Sequence, residues 1–268
     1  MCGIVGVLGK VEAAPRIVDS LKRLEYRGYD SAGVATLVNG AIVRRRAEGK
    51  LRNLEAALEK AALPGTSGIG HTRWATHGAP TVANAHPHQA GSVAVVHNGI
   101  IENYLELRNE IVAAGAVLDT ETDTEVVAHL LNLALKKGLS PREAVGNVLP
   151  RLRGAFALAM LFEGEEDLLI GARKGSPLAV GHGEGEMFFG SDAIALSPFT
   201  DRITYLDEGD WAVITRTSCE IFNHSNQPVQ RPEARSSVTS SLMDKGNYKH
   251  FMAKEIHEQP EVLGHTLS

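Results

Sequence analysis

The chain has 268 residues, of which 43% are hydrophobic and 22% are charged, and its formal net charge is -5. This composition is typical of a globular protein, and the length allows one large domain with a sizeable core. Basic clusters such as residues 44–46 are followed by acidic residues, which argues against nucleic-acid binding. No apolar run approaches the roughly 20 residues of a membrane helix, and no signal peptide is evident. We therefore expect a cytoplasmic protein without membrane contact.

Cysteine and histidine usage bears on metal and redox chemistry. Cys2 and Cys219 are too few for a disulfide scaffold and lack CxxC spacing, so we expect two thiols, with Cys219 structural. The histidines lack the spacing of metal ligands, and neither a metal nor another cofactor is predicted. They are expected to form hydrogen bonds around a polar cleft, with a general-base role for one of them as the alternative. The histidines concerned are His71, His77, His86, His88 and His97.

Hydrophobic periodicity predicts strands and helices in separate blocks. The first block contains strands at 3–8, 67–72 and 92–97, helices at 11–24 and 51–62, and a hairpin of 34–38 and 41–46 with Asn39-Gly40 as its turn. Three helices follow at 103–114, 124–137 and 141–152, with Asp123 and Ser140 as N-caps of the last two. Seven strands come next, at 155–162, 168–172, 178–180, 187–190, 203–205, 211–214 and 220–222. This order favours a layered α+β fold over a parallel doubly wound sheet. Residues 223–241 are expected to be a loop or arm, before a last helix that starts near 247.

Cys2 is a candidate nucleophile because of its position. A methionine aminopeptidase can remove Met1 before a small side chain, which leaves a thiol and a free α-amine on one residue. The α-amine has a pKa of roughly 7.7–8.0, so it can act as the base for its own thiol. Gly3 permits close approach of a substrate to the backbone. The alternative is that Cys2 is a buried hydrophobic residue at the start of a strand.

The segment His71 to Gly78 ends a predicted strand and enters a polar loop. Arg73 is suited to bind an α-carboxylate in bidentate fashion, and Trp74 to form an apolar wall. Gly78 allows the segment to move as a lid. Alternatively, Arg73 forms a surface ion pair and Trp74 belongs to the core.

Asn98 and Gly99 follow a predicted buried strand. The Asn98 carboxamide and the Gly99 backbone N–H can direct two donors at one developing oxyanion. A plain Asn-Gly turn is the alternative.

The acidic segment at 121–125 offers Asp123 as a partner for a substrate ammonium group. Asp123 is also a good N-cap, which is the alternative interpretation. Together these candidates describe an amide-cleaving site for a free amino acid.

The chain resembles the glutaminase domains of the glutamine–fructose-6-phosphate aminotransferase family. The matching segments are MCGIVG at 1–6, LEYRGYDSAG at 24–33, HTRWATHG at 71–78, NAHPH at 84–88, VHNGIIEN at 96–103, ETDTE at 121–125 and KEIHEQP at 254–260. Their number and order make the resemblance far more specific than any single motif.

The resemblance implies a four-layer αββα sandwich of the N-terminal-nucleophile hydrolase type. It implies that Cys2 attacks the side-chain amide of L-glutamine, releases ammonia and forms a glutamyl thioester that water hydrolyses. The implied site residues are Asn98 and Gly99 for the oxyanion hole, Arg73 for the carboxylate, Asp123 for the amino group, Trp74, Thr76 and His77 in the closing loop, and Arg27 and Gly28 beside the nucleophile.

The resemblance also implies a division of the chain into a glutaminase domain at 1–240 and an arm at 241–268. The arm resembles the start of a linker to sugar-isomerase domains, which in this family bind fructose 6-phosphate and receive the ammonia. We expect the full-length enzyme to form a homo-oligomer and to make glucosamine 6-phosphate, and this chain alone to hydrolyse glutamine.

Three other interpretations remain open on the sequence. One is the glutaminase of another amidotransferase, serving purine, asparagine or glutamate synthesis. Another is a self-processing N-terminal-nucleophile peptidase or amidase, although only Met1 precedes Cys2. The third is a binding module without catalysis.

Overall fold

The computed structural model describes residues 2–75, 78–236, 248 and 251–267. Its strands are β1 (Gly3–Leu8), β2 (Ser31–Val38), β3 (Ala41–Glu48), β4 (Ser67–Arg73), β5 (His88–Ala90), β6 (Val93–Ile101), β7 (Gly154–Phe162), β8 (Leu169–Lys174), β9 (Ala179–His182), β10 (Met187–Gly190), β11 (Arg202–Tyr205), β12 (Trp211–Ile214), β13 (Cys219–Phe222), β14 (Pro228–Val229) and β15 (Glu233–Arg235). Its α-helices are α1 (Ala13–Lys22), α2 (Leu51–Lys60), α3 (Tyr104–Ala113), α4 (Thr124–Lys136), α5 (Pro141–Val148), α6 (Ala193–Leu196) and α7 (Phe251–Leu267).

The strands form two antiparallel sheets. An eight-stranded sheet has the order β15-β11-β9-β10-β1-β4-β2-β3, and a seven-stranded sheet has the order β14-β13-β12-β8-β7-β6-β5. The two sheets pack face to face, and their shared core contains Ile4, Ile69, Val96 and Ala159. This arrangement confirms the predicted α+β sandwich.

Helices cover the outer face of each sheet. Ile17 and Leu21 of α1 pack on the eight-stranded sheet, and Val127 and Leu131 of α4 pack on the seven-stranded sheet. The four layers are therefore helices, sheet, sheet and helices. None of the helices within the described ranges is long and apolar enough to cross a membrane.

Burial on both faces explains why the central strands are almost continuously hydrophobic. In β1, Ile4 and Leu8 point into the core between the sheets, whereas Val5 and Val7 point toward the helices. A strand covered on both sides has no polar face, so it lacks the apolar–polar alternation of a surface strand.

Most predicted elements are confirmed, and the differences have local causes. The hairpin turn has Asn39 and Gly40 at φ 53° and 80°, as a two-residue turn requires. Ser140 caps α5 in a capping box with Glu143, as predicted at that residue. The prediction missed β5 and α6, which are short.

The region predicted as a loop after residue 223 also contains strands. β14 and β15 form the edges of the two sheets by pairing with β13 and β11, although their composition is typical of a loop. The predicted domain boundary at 240–241 and the predicted start of the last helix near 247 lie outside the described residues, in which this helix is Phe251–Leu267.

Candidate active site

Strand register brings Cys2 beside Arg73. Strands β1 and β4 are antiparallel neighbours in which Gly3 pairs with Thr72, so the residues just before and after this pair are also adjacent. Cys2 lies two positions before Ile4, and Arg73 four positions after Ile69; both hydrophobic residues face the core between the sheets. The period of two in a strand therefore directs both functional side chains to the same inner face.

Asn98 reaches the same place from the opposite sheet. Ala94 and Val96 of β6 face the core between the sheets, and the alternation continues to Asn98. Asn98 pairs with Ala157 and Gly99 with Phe156, so both residues lie inside a strand. The alternative Asn-Gly turn is therefore wrong.

These strand ends border one small cleft. Its lining residues are Cys2, Arg73, Trp74, His86, His97, Gly99, Thr122, Asp123 and Thr124. Two larger clefts, of about 350 and 380 Å³, lie beside Trp211 and between α1 and α2, respectively. The smaller cleft is the one that contains the sequence-predicted chemistry.

Cys2 is partly buried, and its sulfur contacts the backbone of Trp74. The Trp74 N–H donates to Sγ at 3.2 Å, and the thiol lies 3.5 Å from the Trp74 carbonyl oxygen, to which it donates. Burial raises the pKa of the Cys2 thiol, whereas the Trp74 N–H and the charge of Arg73 act in the opposite direction. A protonated thiol that already contacts an N–H donor needs a nearby base to become a nucleophile.

The conformation of Gly99 explains why a glycine stands there. Its φ of +122° is in the region that favours glycine, and an added Cβ would lie 2.0 Å from the carbonyl oxygen of Ala155. Any larger residue would push β6 away from β7 and displace the adjacent N–H groups.

Arg73 is buried, with 3% of its surface exposed, and its guanidinium donates to the carbonyl oxygens of Gly78 and Ala79 at 3.3 and 3.2 Å. The alternative of a surface ion pair is therefore wrong. Trp74 is 47% exposed, so it is not a core residue, and its ring lies edge-on to Tyr29 with 6.0 Å between centroids. Thr76 and His77, predicted for the closing loop, lie outside the described residues.

Asp123 is 5% exposed and is fixed by the neighbouring strand. Its Oδ2 accepts a hydrogen bond of 2.8 Å from the backbone N–H of Ile101 and lies 3.9 Å from Nδ1 of His97. Asp123 occupies the N-cap position of α4, as predicted, but its side chain makes no capping hydrogen bond there. A carboxylate held in this way can offer its other oxygen to a cation.

Gly28 packs against the peptide bond that contacts the nucleophile. An added Cβ would lie 2.7 Å from both the Arg73 carbonyl carbon and the Trp74 nitrogen. Arg27 forms an ion pair with Asp192. Asp30, which we did not single out in the sequence, accepts from the Ala75 N–H at 2.9 Å and helps to hold the same segment.

A cluster of buried histidines lies behind the cleft. His71, His86, His88 and His97 are all at most 5% exposed, and the His71 and His86 rings stack with 4.1 Å between centroids. The Thr124 hydroxyl lies 2.9 Å from both His86 Nε2 and His97 Nδ1. Thr122 and Thr124 were not selected from the sequence, since a Thr-rich segment carries no signal for buried histidine partners.

Burial keeps His71, His86 and His88 neutral. It lowers the pKa of His71 and of His88 to about 3, and that of His86 well below its usual value. They are therefore suited to fixed hydrogen bonds rather than to carrying charge. Within the described parts of the chain, no three or more His, Cys, Asp or Glu side chains are arranged so that they could hold a metal ion together.

Proteins similar to this chain are amidotransferases, which is consistent with the residues found in the cleft. Residues 71–198 match a family model described as a glutamine amidotransferase domain. Glutamine–fructose-6-phosphate aminotransferase [isomerizing] of Brucella suis is 65% identical over 268 residues, which is all of this chain and 44% of that protein. The enzyme of the same name from Rhizobium meliloti is 60% identical over 267 residues, again 44% of its length.

Solved structures show the same fold. Glutamine phosphoribosylpyrophosphate amidotransferase from B. subtilis, complexed with ADP and GMP, has a TM-score of 0.72 at 25% identity, covering 85% of this chain and 50% of that one. A glutamine aminotransferase class-II domain protein from Silicibacter pomeroyi has a TM-score of 0.57 at 17% identity, covering 83% of this chain and 99% of that one. The latter likeness concerns the fold alone.

The fold, the family model and the relatives place this chain among the glutamine amidotransferases. Within that class, it resembles along its whole length the glutamine–fructose-6-phosphate aminotransferases, and it spans less than half the length of those curated relatives.

Proposed function

We propose that this chain hydrolyses L-glutamine to glutamate and ammonia through a thioester on Cys2, after removal of Met1. The observation that carries the proposal is the convergence of Cys2, Arg73, Gly99 and Asp123 on one cleft. A thiol, an oxyanion donor, a guanidinium and a carboxylate are the groups that cleavage of a free amino acid's amide requires.

The proposed reaction starts with the Cys2 thiol. Its α-amine takes the proton, and sulfur attacks the side-chain carbonyl carbon of glutamine, forming an S–C bond. The negative charge that develops on oxygen is stabilised by Asn98 Nδ2 and the Gly99 N–H. The C–N bond then breaks, and the leaving nitrogen takes a proton and departs as ammonia. Water adds to the thioester, and the C–S bond breaks to give glutamate and the free thiol.

Two buried charges account for the proposed specificity. Arg73 binds the α-carboxylate and Asp123 the α-ammonium group, each as a charge-assisted hydrogen bond. Because both protein charges are buried, a ligand that lacks either partner leaves one of them without its counter-charge. Trp74, together with Thr76 and His77, is proposed to cover the bound glutamine.

For the whole protein, we propose that the ammonia passes to fructose 6-phosphate and yields glucosamine 6-phosphate, through segments outside this chain. The names of the 60–65% identical relatives support this acceptor. A phosphoribosylpyrophosphate acceptor is less well supported, because the amidotransferase of that name is 25% identical. A cytoplasmic location and a homo-oligomeric whole protein are part of this proposal. Incubation of the whole protein with glutamine and either sugar phosphate, followed by product analysis, distinguishes the two acceptors.

The glutaminase proposal is tested on the chain itself. Glutamate and ammonia are measured from purified protein whose N-terminus has been sequenced by mass spectrometry. We expect hydrolysis that disappears in Cys2→Ala and in a variant that retains Met1. Hydrolysis that persists in Cys2→Ala at the same thermal stability would overturn the proposal.

A further inference from the structure

The Asn98 carboxamide is held at both ends. Its Nδ2 donates to the backbone carbonyl oxygen of Cys2 at 3.1 Å, and its Oδ1 lies 3.0 Å from Nε2 of His71. The Cys2 carbonyl can only accept, so Nδ2 has to face it. A carboxamide rotated by half a turn would place two oxygens against each other at this point and a nitrogen against His71.

The hydrogen on His71 is determined by a second backbone carbonyl. Nε2 of His71 lies 2.9 Å from the carbonyl oxygen of His97 as well as 3.0 Å from Asn98 Oδ1. Since a carbonyl oxygen only accepts, Nε2 carries the hydrogen and donates to both oxygens. With its low pKa, the ring has a single hydrogen at neutral pH, and that hydrogen is on Nε2.

Packing holds the His71 ring in this orientation. The residue is fully buried in β4, and its ring stacks on His86 with 29° between the planes. The Nε2 atom of His86 is in turn hydrogen-bonded to the Thr124 hydroxyl. The donor therefore has a fixed direction before any substrate binds, which is what a preorganised oxyanion hole requires.

We propose that His71 is a positioning residue that holds the Asn98 carboxamide with Nδ2 toward the reacting amide. The inference rests on the proposed oxyanion role of Asn98. Neither His71 nor Asn98 is among the residues that line the cleft, but Asn98 donates to the backbone of Cys2 and precedes Gly99, and both of these do line it. His71 is one hydrogen bond further away and therefore acts through Asn98.

The kinetic test compares His71→Leu with His71→Gln, whose amide nitrogen can replace Nε2 as a donor. Removing one oxyanion donor lowers kcat by about 100- to 1,000-fold, so misorientation of Asn98 in His71→Leu is expected to lower kcat by about 10- to 100-fold. KM should change by less than about twofold, because the interaction is made in the transition state. His71→Gln should recover most of the lost kcat. A rise in KM at unchanged kcat, or equal losses in both variants, would overturn the inference.

A double variant separates positioning from a general loss of structure. If His71 acts through Asn98, His71→Leu should lower kcat by less than about twofold further in an Asn98→Ala background. Independent, multiplying losses would contradict the inference. The matched control is His182→Leu in β9, three strands away from β4 in the same sheet, where Nε2 lies 2.8 Å from the Thr204 hydroxyl. The activity of this variant should be unchanged.

The same experiments distinguish failure of the inference from failure of the proposed function. If Cys2→Ala still hydrolyses glutamine, or if Asn98→Ala has the same kcat as the parent, the proposed function on which the inference rests is wrong. If Asn98→Ala strongly lowers kcat but His71→Leu leaves kcat unchanged, the inference about His71 is wrong and the proposed function still stands. Nitrogen NMR of the unmutated, labelled chain at pH 7 needs no variant to fold: a hydrogen on Nε2 of His71 is expected, and one on Nδ1 would refute the proposal.

Discussion

The backbone N–H of Trp74 lies 3.2 Å from the sulfur of Cys2, a residue 72 positions away in the chain. This peptide bond is in turn pressed against Gly28. The environment of the proposed nucleophile therefore depends on three segments that are distant from one another in the sequence.

Replacement of Gly28 tests this dependence. Gly28 is extended at φ -178°, so Gly28→Ala introduces no backbone strain, only a Cβ 2.7 Å from the peptide of residues 73–74. Since small displacements of reacting groups are costly, we expect kcat for glutamine hydrolysis to fall by about 10- to 100-fold. Gly146→Ala in α5, where the Cβ meets only ordinary contacts, is the control and should retain activity. If Gly28→Ala has the same kcat as the parent, the position of the peptide bond between Arg73 and Trp74 is not critical for glutamine hydrolysis.

Asp123→Asn tests the proposed ammonium contact. Asparagine can keep the hydrogen bond from Ile101 but loses the charge, so we expect little change in Tm and an increase of about tenfold in KM for glutamine. With 4-carbamoylbutanoate, which lacks the α-amine, the variant and the parent should be equally active. Asp119→Asn, at an exposed carboxylate of the same segment, serves as the control. A loss of the same size with both substrates would argue against an ammonium contact.

The two thiols should differ in reactivity with pH. Burial and the charge of Glu220 both raise the pKa of Cys219, to about 11. Burial also raises the pKa of Cys2, but there the Trp74 N–H and Arg73 oppose the rise. Because only the thiolate reacts, iodoacetamide at pH 8 should alkylate Cys2 first, and labelling of Cys219 should increase up to about pH 11.

Peptide mass spectrometry over a pH series measures this order of labelling. Glu220→Gln should accelerate labelling of Cys219 and leave Cys2 unaffected. Faster labelling of Cys219 than of Cys2 at pH 8 would contradict the assignment.

Glu125 is expected to make the free energy of unfolding depend on pH in the acidic range. Burial by itself would raise its pKa, but the His129 ring 3.6 Å away and hydrogen bonds from the Asp119 amide and from the amide and hydroxyl of Thr120 outweigh burial and lower the pKa to about 2. A depressed carboxyl pKa contributes stability that is complete above pH 4.5 and is lost as pH falls toward 2.

We therefore expect Glu125→Gln to lower the free energy of unfolding by about 2 kcal/mol at pH 7, after allowance for solvent screening. The difference from the parent should shrink steadily below pH 4.5. Urea unfolding at several pH values measures it, with Glu106→Gln on the exposed face of α3 as the control. A difference that is constant between pH 7 and pH 3 would exclude this origin.

The sequence alone determined the layered α+β fold and most of its elements. Long apolar runs, the Asn39-Gly40 turn and the Ser140 capping box are local signals, and each depends on residues within a few positions of one another. The motif blocks also identified Cys2, Arg73, Asn98 and Asp123 as candidates. Residue type limits the chemistry that a side chain can perform, whatever its surroundings.

Only the tertiary structure decided between the alternatives at these residues. Asn98-Gly99 is strand rather than turn because β7 pairs with it. Asp123 stands at the N-cap position of α4, but its side chain accepts a hydrogen bond from Ile101 instead of from the helix. The hydrogen bond between the side chains of His71 in β4 and Asn98 in β6 connects the two sheets. These hydrogen bonds involve partners that are distant in sequence. A buried polar group forms its hydrogen bond with the group that the packing of the two sheets places within reach, and local sequence does not determine that group.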